Sequence, residues 1–439
     1  MSKISRLFFS IAVFFIPFVG FAPISYAGTG FQVTSIFTIL SLFIVVLDYK
    51  NYQNLHFNKT AVILLLFLFL CFLSVYHCLI IQNSFKGQYP FFRWAKQTVQ
   101  LAISVSFFIL AQWYLKDISD LRKLNKIIVT SGFFVALIAV LGIINFYHPI
   151  YVFRNFMDVM HNSPSMGGGS LKAGGYSADS PQSSLHLPKV SATFSEGSLA
   201  ASYFIFVIGN IFLRKELKET FPNFSLVVIL FLGVIVFTFT RSAVLALLTF
   251  YILYLYGKRK MKLKHVLIIL IFFLMLYKFS SFDSSFSISS YENISDLQSN
   301  WTRITNILTG INVFLSYPIL GVGNGLWGFY YGSHLANIGM GNREVGWMLD
   351  NFNPLWPTTS LYVRILSEDG LIGFLLFVFF IYNIVKPKKQ WKGKKEFNIY
   401  LILLSTSIAV LFTFVGEESF SLYYFWIVLA MLDRSKQIL

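Results

Sequence analysis

Charge is what this chain has least of. Its 19 acidic and 35 basic residues make up 12% of 439 positions, while 56% are hydrophobic; soluble domains carry about a quarter charged residues. There is too little polar surface to coat a water-soluble globule. Cysteine is almost missing. Cys71 and Cys78 lie in or at the end of one apolar stretch, which excludes a disulfide framework and leaves both as packing residues. The seven histidines form no His-Glu-x-x-His, there is no paired-cysteine spacing, and no Asp-x-Asp is present to hold a divalent ion on a sugar nucleotide. Neither a metal nor another cofactor is expected. The chain also lacks a convincing internal repeat or heptad seam, which excludes a repeat array or coiled coil.

What it has instead is apolar length. Runs of about 15 to 25 apolar residues, enough to cross a bilayer, recur from end to end. They predict an all-α polytopic membrane protein of about twelve transmembrane helices, near 7–24, 33–47, 61–81, 98–115, 127–147, 199–213, 225–240, 242–256, 264–279, 370–385, 398–415 and 420–432. Lysines and arginines in short loops mark the cytoplasmic side. Lys3 and Arg6, Lys50 and Lys59, Lys116 to Lys126, Arg214 to Lys218, Lys258 to Lys264, Lys386 to Lys395, and Arg434 with Lys436 all fall in alternate loops. These are 24 of the 35 basic residues, so the net charge of +16 reflects topology and anionic headgroups and requires no nucleic acid. Both termini are expected in the cytoplasm. Lys3 and Arg6 before a run ending Ser25-Tyr26-Ala27 also fit a cleaved signal peptide, but the length of the run and the spans that follow favour a retained helix.

This topology divides the chain into a five-helix bundle (1–147), an outer loop (148–198), central helices (199–279), a second outer loop (280–369) and C-terminal helices (370–439). The first large extracytoplasmic loop is rich in Gly, Ser and Pro and reads as a mobile flap. The second carries Trp301, Trp327, Phe329, Tyr330, Tyr331, Trp347, Phe352 and Trp356, with helical periodicity in TRITNILTGINVFLSY, and is expected to be ordered along the membrane surface. Its aromatics suit an interfacial belt or sugar stacking. GVGNG at 321–325 lacks the strand that a dinucleotide site requires and reads as a turn admitting a headgroup.

Three outer stretches set arginine beside apolar helix: TFTRSAVLALL at Arg241, NWTRITNILTG leading to YPILGVGNG at Arg303, and TTSLYVRILSEDGLIGF at Arg364. A charge at such a boundary is costly unless it has a partner or a task. A guanidinium binds phosphate oxygens in two-pronged geometry, so these sites suit a polyprenyl diphosphate; snorkelling, or pairing of Arg241 with Glu417 or Glu418, is the alternative. In order and spacing the three stretches resemble the signatures of the O-antigen ligase and polymerase superfamily of bacterial surface polysaccharide enzymes. SATFSEGSLAASYF, at 191–204, is similar to a segment preceding a central helix in its polymerases. The similarity spans roughly 190–375.

The resemblance implies that Arg241 and Arg303 bind diphosphate and that Glu368-Asp369-Gly370 closes the site. One departure matters: ligases of the family carry His-Asn nine residues before the acid of the last motif, where this chain has Thr359 and Ser360. That points to a polymerase and leaves the general base open among His334, Glu196 and Glu368. Glu196 also suits the start of a helix as a cap. Arg93 and Lys96, which depart from the charge pattern, bind either a second lipid phosphate or headgroups. Arg154, Arg343 and Arg364 guide an anionic glycan or are surface residues, and Trp301 is a stacking candidate. The expected activity is polymerisation of undecaprenyl-diphosphate-linked oligosaccharide repeats at the outer face of the bacterial inner membrane, by metal-independent inverting glycosyl transfer. The resemblance implies a flippase and a chain-length regulator as partners. Ligation to a lipid or protein acceptor and transport of the glycolipid are the alternatives; transport predicts charged or broken helices at the bilayer midplane.

Overall fold

The structure is a computed structural model of the full chain. It describes all residues except 20–23, 27–28, 49–56, 82–83, 85–86, 162–189, 195–196, 220–222, 239, 259–293, 343–344, 347–348, 351–357 and 388–393. Among the described residues it is helical throughout, apart from one short antiparallel ladder pairing Ile24–Tyr26 with Thr29–Phe31.

The helices, in chain order, are α1 (Lys3–Phe14), α2 (Val33–Leu47), α3 (Lys59–Leu73), α4 (Pro90–Tyr114), α5 (Ile118–Tyr147), α6 (Tyr151–His161), α7 (Gly197–Glu216), α8 (Phe224–Phe237), α9 (Arg241–Gly257), α10 (Ile294–Ser316), α11 (Leu361–Val385), α12 (Lys394–Thr413) and α13 (Tyr423–Ile438). A 3-10 turn and a last helical turn carry α3 on to Ile80. The starts follow local chemistry. Ser2, Asn58 and Asp117 accept hydrogen bonds from the amides of Ser5, Ala61 and Asp120, and Pro90 opens α4 where its missing N–H is harmless.

Six of these helices are long and apolar enough to cross a membrane: Lys59–Ile80, Pro90–Tyr114, Ile118–Tyr147, Gly197–Glu216, Leu361–Val385 and Lys395–Thr413. Three shorter apolar ones, α2, α8 and α9, lie among them, and α1 and α13 pack in the same bundle. The expected span at 264–279 falls outside the described residues. Three helices start two turns or more earlier than hydropathy predicts: α4 at Pro90, α5 at Ile118 and α11 at Leu361. In each case the first turns carry charges that a hydropathy reading assigns to a loop, yet the backbone stays helical: Asp120 of α5 pairs with Arg6 of α1, Arg93 of α4 donates to the Gly325 carbonyl, and Arg364 of α11 pairs with Glu368 and with Gln97 of α4.

The centre of the bundle is α7 and α13, whose side chains are almost all buried. Glycines let helices close on α7, where a Cβ at Gly132 would overlap Val207 and one at Gly209 Thr406, and let α9 close on α12, where a Cβ at Gly257 would overlap Leu401. Large apolar side chains such as Phe43, Phe69, Leu226, Ile229, Leu375 and Phe379 face outward, a surface that only lipid would cover at low cost.

The helices alternate in direction, which gives the bundle two ends. One collects Arg6, Asp120, Glu216, Lys258, Asp433 and Lys436, joined in ion pairs. At the other end α4, α7, α9, α11 and α13 begin. There α10 and the turns of 318–342 form a smaller core of Val313, Val322, Trp327, Tyr331 and Val345.

Candidate active site

The site is organised by a break in α11. Gly370 has φ 64° and ψ −165°, so the helix stops after Asp369 and restarts at once. A break inside an apolar helix strands backbone groups that hydrocarbon cannot satisfy. Here the segment 318–323 satisfies them. Val322 and Gly323 donate to the carbonyls of Ser367 (2.9 Å) and Glu368 (2.8 Å), while Leu371 and Ile372 donate to those of Pro318 (2.8 Å) and Ile319 (3.3 Å). The approach is so close that a Cβ on Gly321 would sit 2.4 Å from the Glu368 carbonyl carbon, and one on Gly370 2.4 Å from the Ile319 oxygen. Both residues have positive φ, so glycine is required on conformational and steric grounds. The GVGNG turn is therefore buried against protein backbone, which corrects the expectation that it admits a headgroup.

Just before the break, Arg364, Glu368 and Asp369 are all buried, with Arg364 only 7% exposed. Arg364 donates from Nε to Glu368 Oε2 (2.9 Å), from Nη2 to Gln97 Oε1 (2.8 Å) on α4, and from Nη1 to the backbone carbonyl of Glu418 (3.2 Å). It also lies over the Phe420 ring. This is an internal ionic hub: one guanidinium ties three separate parts of the chain together. Asp369 accepts from the Cys71 thiol at Oδ1 (3.3 Å), while its Oδ2 has no hydrogen-bond partner among the described residues. Close by, Asn324 donates from its side-chain amide to Thr98 Oγ1 and from its backbone N–H to Ser74 Oγ, and the ring nitrogens of His77 are buried with no partner among the described residues.

The remaining side of this corner is the 358–361 segment. Glu418 Oε2 accepts from both the amide and the hydroxyl of Thr358, the latter at 2.9 Å. Thr359 has φ 61°. A β-branched residue there is strained by about 1–3 kcal/mol, a feature that clusters at active sites. Its hydroxyl donates to the carbonyls of Thr358 (2.7 Å) and Arg303 (3.3 Å), which joins α10 to the same corner. Leu361 donates to the carbonyls of Phe414 and Glu417.

The sequence candidates fall into groups. Arg303 and Trp301 are exposed on α10, and Arg241 is exposed at the first turn of α9. Gly257, at the far end of α9, packs on Leu401 of α12; the sixteen residues back to Arg241 climb about 24 Å and the twelve from Leu401 to the end of α12 at Thr413 about 18 Å, so Arg241 stands near the level of the segment that follows α12 and contains Glu418. Arg93 donates from Nε to Gly325 O (3.3 Å), and Lys96 is half-buried one turn on, beside Gln97. Arg364 and Glu368 are brought together, though as mutual partners in the interior and not at the surface position expected for Arg364. His334 sits apart: its Nδ1 meets Ser333 Oγ and Tyr330 O, its ring packs near Tyr317 and Tyr330, and its carbonyl accepts from Asn312. Burial pushes Tyr330 up to about 12, so it remains a hydrogen-bond donor at neutral pH. Glu196 and Arg343 lie outside the described residues, as does the side chain of Arg154.

Residues 226–378, about a third of the chain, match the O-antigen ligase family. Over that stretch the chain is similar to O-antigen ligases. The matched stretch contains Arg241, Trp301, Arg303, His334, Arg364 and Glu368 but not Arg93, Lys96 or Glu196. No curated protein matches the chain. The six long apolar helices fit a membrane protein.

Sequence reasoning placed Asp369 in the stretch that closes the site, but it missed Gln97 and Cys71 and named Glu418 only as an alternative partner of Arg241. Of the last three only Glu418 left a signal, as one of two adjacent acids between apolar runs in a chain poor in acid.

Proposed function

We propose that the protein is a polymerase of undecaprenyl-diphosphate-linked oligosaccharide repeat units. The observation that carries this reading is the convergence of Arg241, Arg303 and Arg93 on one end of the bundle, around a buried Arg364–Glu368 hub. Basic loops gather at the opposite end, and positive loops stay cytoplasmic, so the arginine end faces out from the inner membrane and both termini face in. Arg241 and Arg303 hold the diphosphate of the donor lipid; Arg93 and Lys96 take the second lipid-linked unit. The terminal hydroxyl of that unit attacks C1 of the donor sugar, inverting it, as the C1–oxygen bond to diphosphate breaks. Negative charge grows on the leaving group, and fixed arginines stabilise it without a metal. Trp301 lies exposed on α10 two residues before Arg303, where a sugar face can stack. A flippase delivering substrate and a regulator of chain length are the expected partners.

Thr359 and Ser360, in place of His-Asn, favour polymerase over ligase. The transport reading has an observation of its own, the broken and charged α11; yet the break is filled by residues 318–323, and the hub's charges are spent on protein partners.

The test incubates purified protein with a lipid-linked repeat unit and compares it with Arg241→Ala and Arg303→Ala. The expected outcome is a product ladder on a gel, insensitive to a chelator and reduced about 10²- to 10³-fold in each variant. Transfer of one finished glycan to a lipid acceptor would turn the reading to a ligase; movement of substrate across vesicles without new bonds would turn it to a transporter.

A further inference from the structure

We infer that the Glu418 carboxylate is the general base of glycosyl transfer, held by Thr358 and aimed at the acceptor hydroxyl. The inference rests on the polymerase reading above. Glu418 lies in the segment between α12 and α13, outside the matched stretch, and is half-buried. Its Oε2 is fixed by two donors from Thr358, while Oε1 takes no hydrogen bond among the described residues. A carboxylate with one oxygen anchored and the other open has the geometry of a base. Between this group and the backbone of Arg303 stands a single dipeptide, Thr358–Thr359, whose second residue is strained and bonded to the Arg303 carbonyl. Arg241 stands near the level of the same segment. The acid thus borders the place where the two arginines would hold the diphosphate.

The other acids and the histidine are less well placed. Glu368 is 1% exposed and committed to Arg364. His334 is tied to α10 at Asn312, nine residues or about 13 Å along the helix from Arg303. The charges around Glu418 are Arg364 and Arg93, which favour its ionised form, and Glu368, which opposes it; burial outweighs the cations and lifts Glu418 above the usual carboxylate value, toward the pH at which a base works. In the step, the acceptor oxygen bonds to C1, the C1–oxygen bond to diphosphate breaks, the electron pair leaves on the diphosphate, and the acceptor proton passes to Oε1.

The test uses full-length protein in detergent with the lipid-linked repeat unit isolated from cells that accumulate it. Coupling rate, substrate retention and melting temperature are measured against pH for wild type, Glu418→Gln and Glu418→Asp. Gln keeps the acceptor oxygen for Thr358, and the backbone bond to Arg364 does not depend on the side chain. The expected result is a melt at or slightly above wild type and unchanged retention for Glu418→Gln, a rate lower by about 10²- to 10⁴-fold, and disappearance of the acid limb of the pH–rate profile; Glu418→Asp keeps a limb, shifted. A Glu418→Gln rate within threefold of wild type, or a loss of rate and retention together with the limb intact, overturns the assignment while leaving the polymerase reading in place. Wild-type protein that forms no ladder from the authentic unit removes the polymerase reading and this inference with it.

Discussion

Two carboxylates at opposite ends of the bundle, Asp433 buried and Glu418 half-buried, are treated differently. Asp433, on α13, is saturated: Oδ2 accepts from Asn58 (2.7 Å), Thr60 (2.6 Å) and Gln112 (2.7 Å), and Oδ1 pairs with Lys436 at 3.2 Å. Glu418 has one filled oxygen and one open, beside an arginine hub that binds its backbone. A fully bonded carboxylate clamps helices together and has no capacity left for a substrate. A half-bonded one gives up stability and keeps a free lone pair where chemistry is possible. The end with the saturated acid is a fastening; the end with the open acid is a workplace.

The largest expected effect tests whether the open end depends on its own hub. Arg364→Met strands Glu368 in the interior and should cost about 3–5 kcal/mol, read as a large fall in the detergent melting temperature; adding Glu368→Gln should recover much of it. If Arg364→Met melts like wild type, the hub holds nothing together. Next comes the fastening. Asp433→Asn removes a charge and part of an acceptor set from three donors and should cost about 1–3 kcal/mol, while the rate per folded molecule stays at the wild-type level. A loss of rate at unchanged stability would erase the distinction between the two ends.

The smallest effect is the most discriminating. Glu418 is shifted upward in the folded protein, burial being the main cause. The folded state therefore binds this proton more tightly than the unfolded chain does. Its contribution to stability is complete below the unfolded value and is lost as pH rises through the folded one. Glu418→Gln should then melt at or slightly above wild type at neutral pH, with the difference vanishing in acid. A variant that melts lower at neutral pH would make Glu418 a second fastening.

Membership of a polytopic helical class was legible before any coordinates, as were the positions of most apolar helices. The three arginine motifs were legible as well, since their spacing is local. The pairing of Arg364 with Gln97 was not, because 267 residues separate them and nothing in either segment marks the other. Nor was the start of α11: Arg364, Glu368 and Asp369 lower its hydropathy to that of a loop, and only mutual neutralisation lets them stay in a buried helix. Gly321 and Gly370 read as turn and helix glycines; their shared reason, each filling the other's backbone gap, belongs to the fold.

The sequence by itself determined that this chain lives in a membrane, where its apolar runs lie, and that arginine is its scarce chemical resource, because composition and hydrophobic length act residue by residue against the solvent. Only the tertiary structure decided which charges are spent on the protein and which are left for a ligand. Arg364 and Asp433 are consumed by internal partners; Arg303 stays exposed and Glu418 keeps one oxygen open. That division depends on which distant groups come within about 3 Å of one another, a distance set by packing and not by order along the chain.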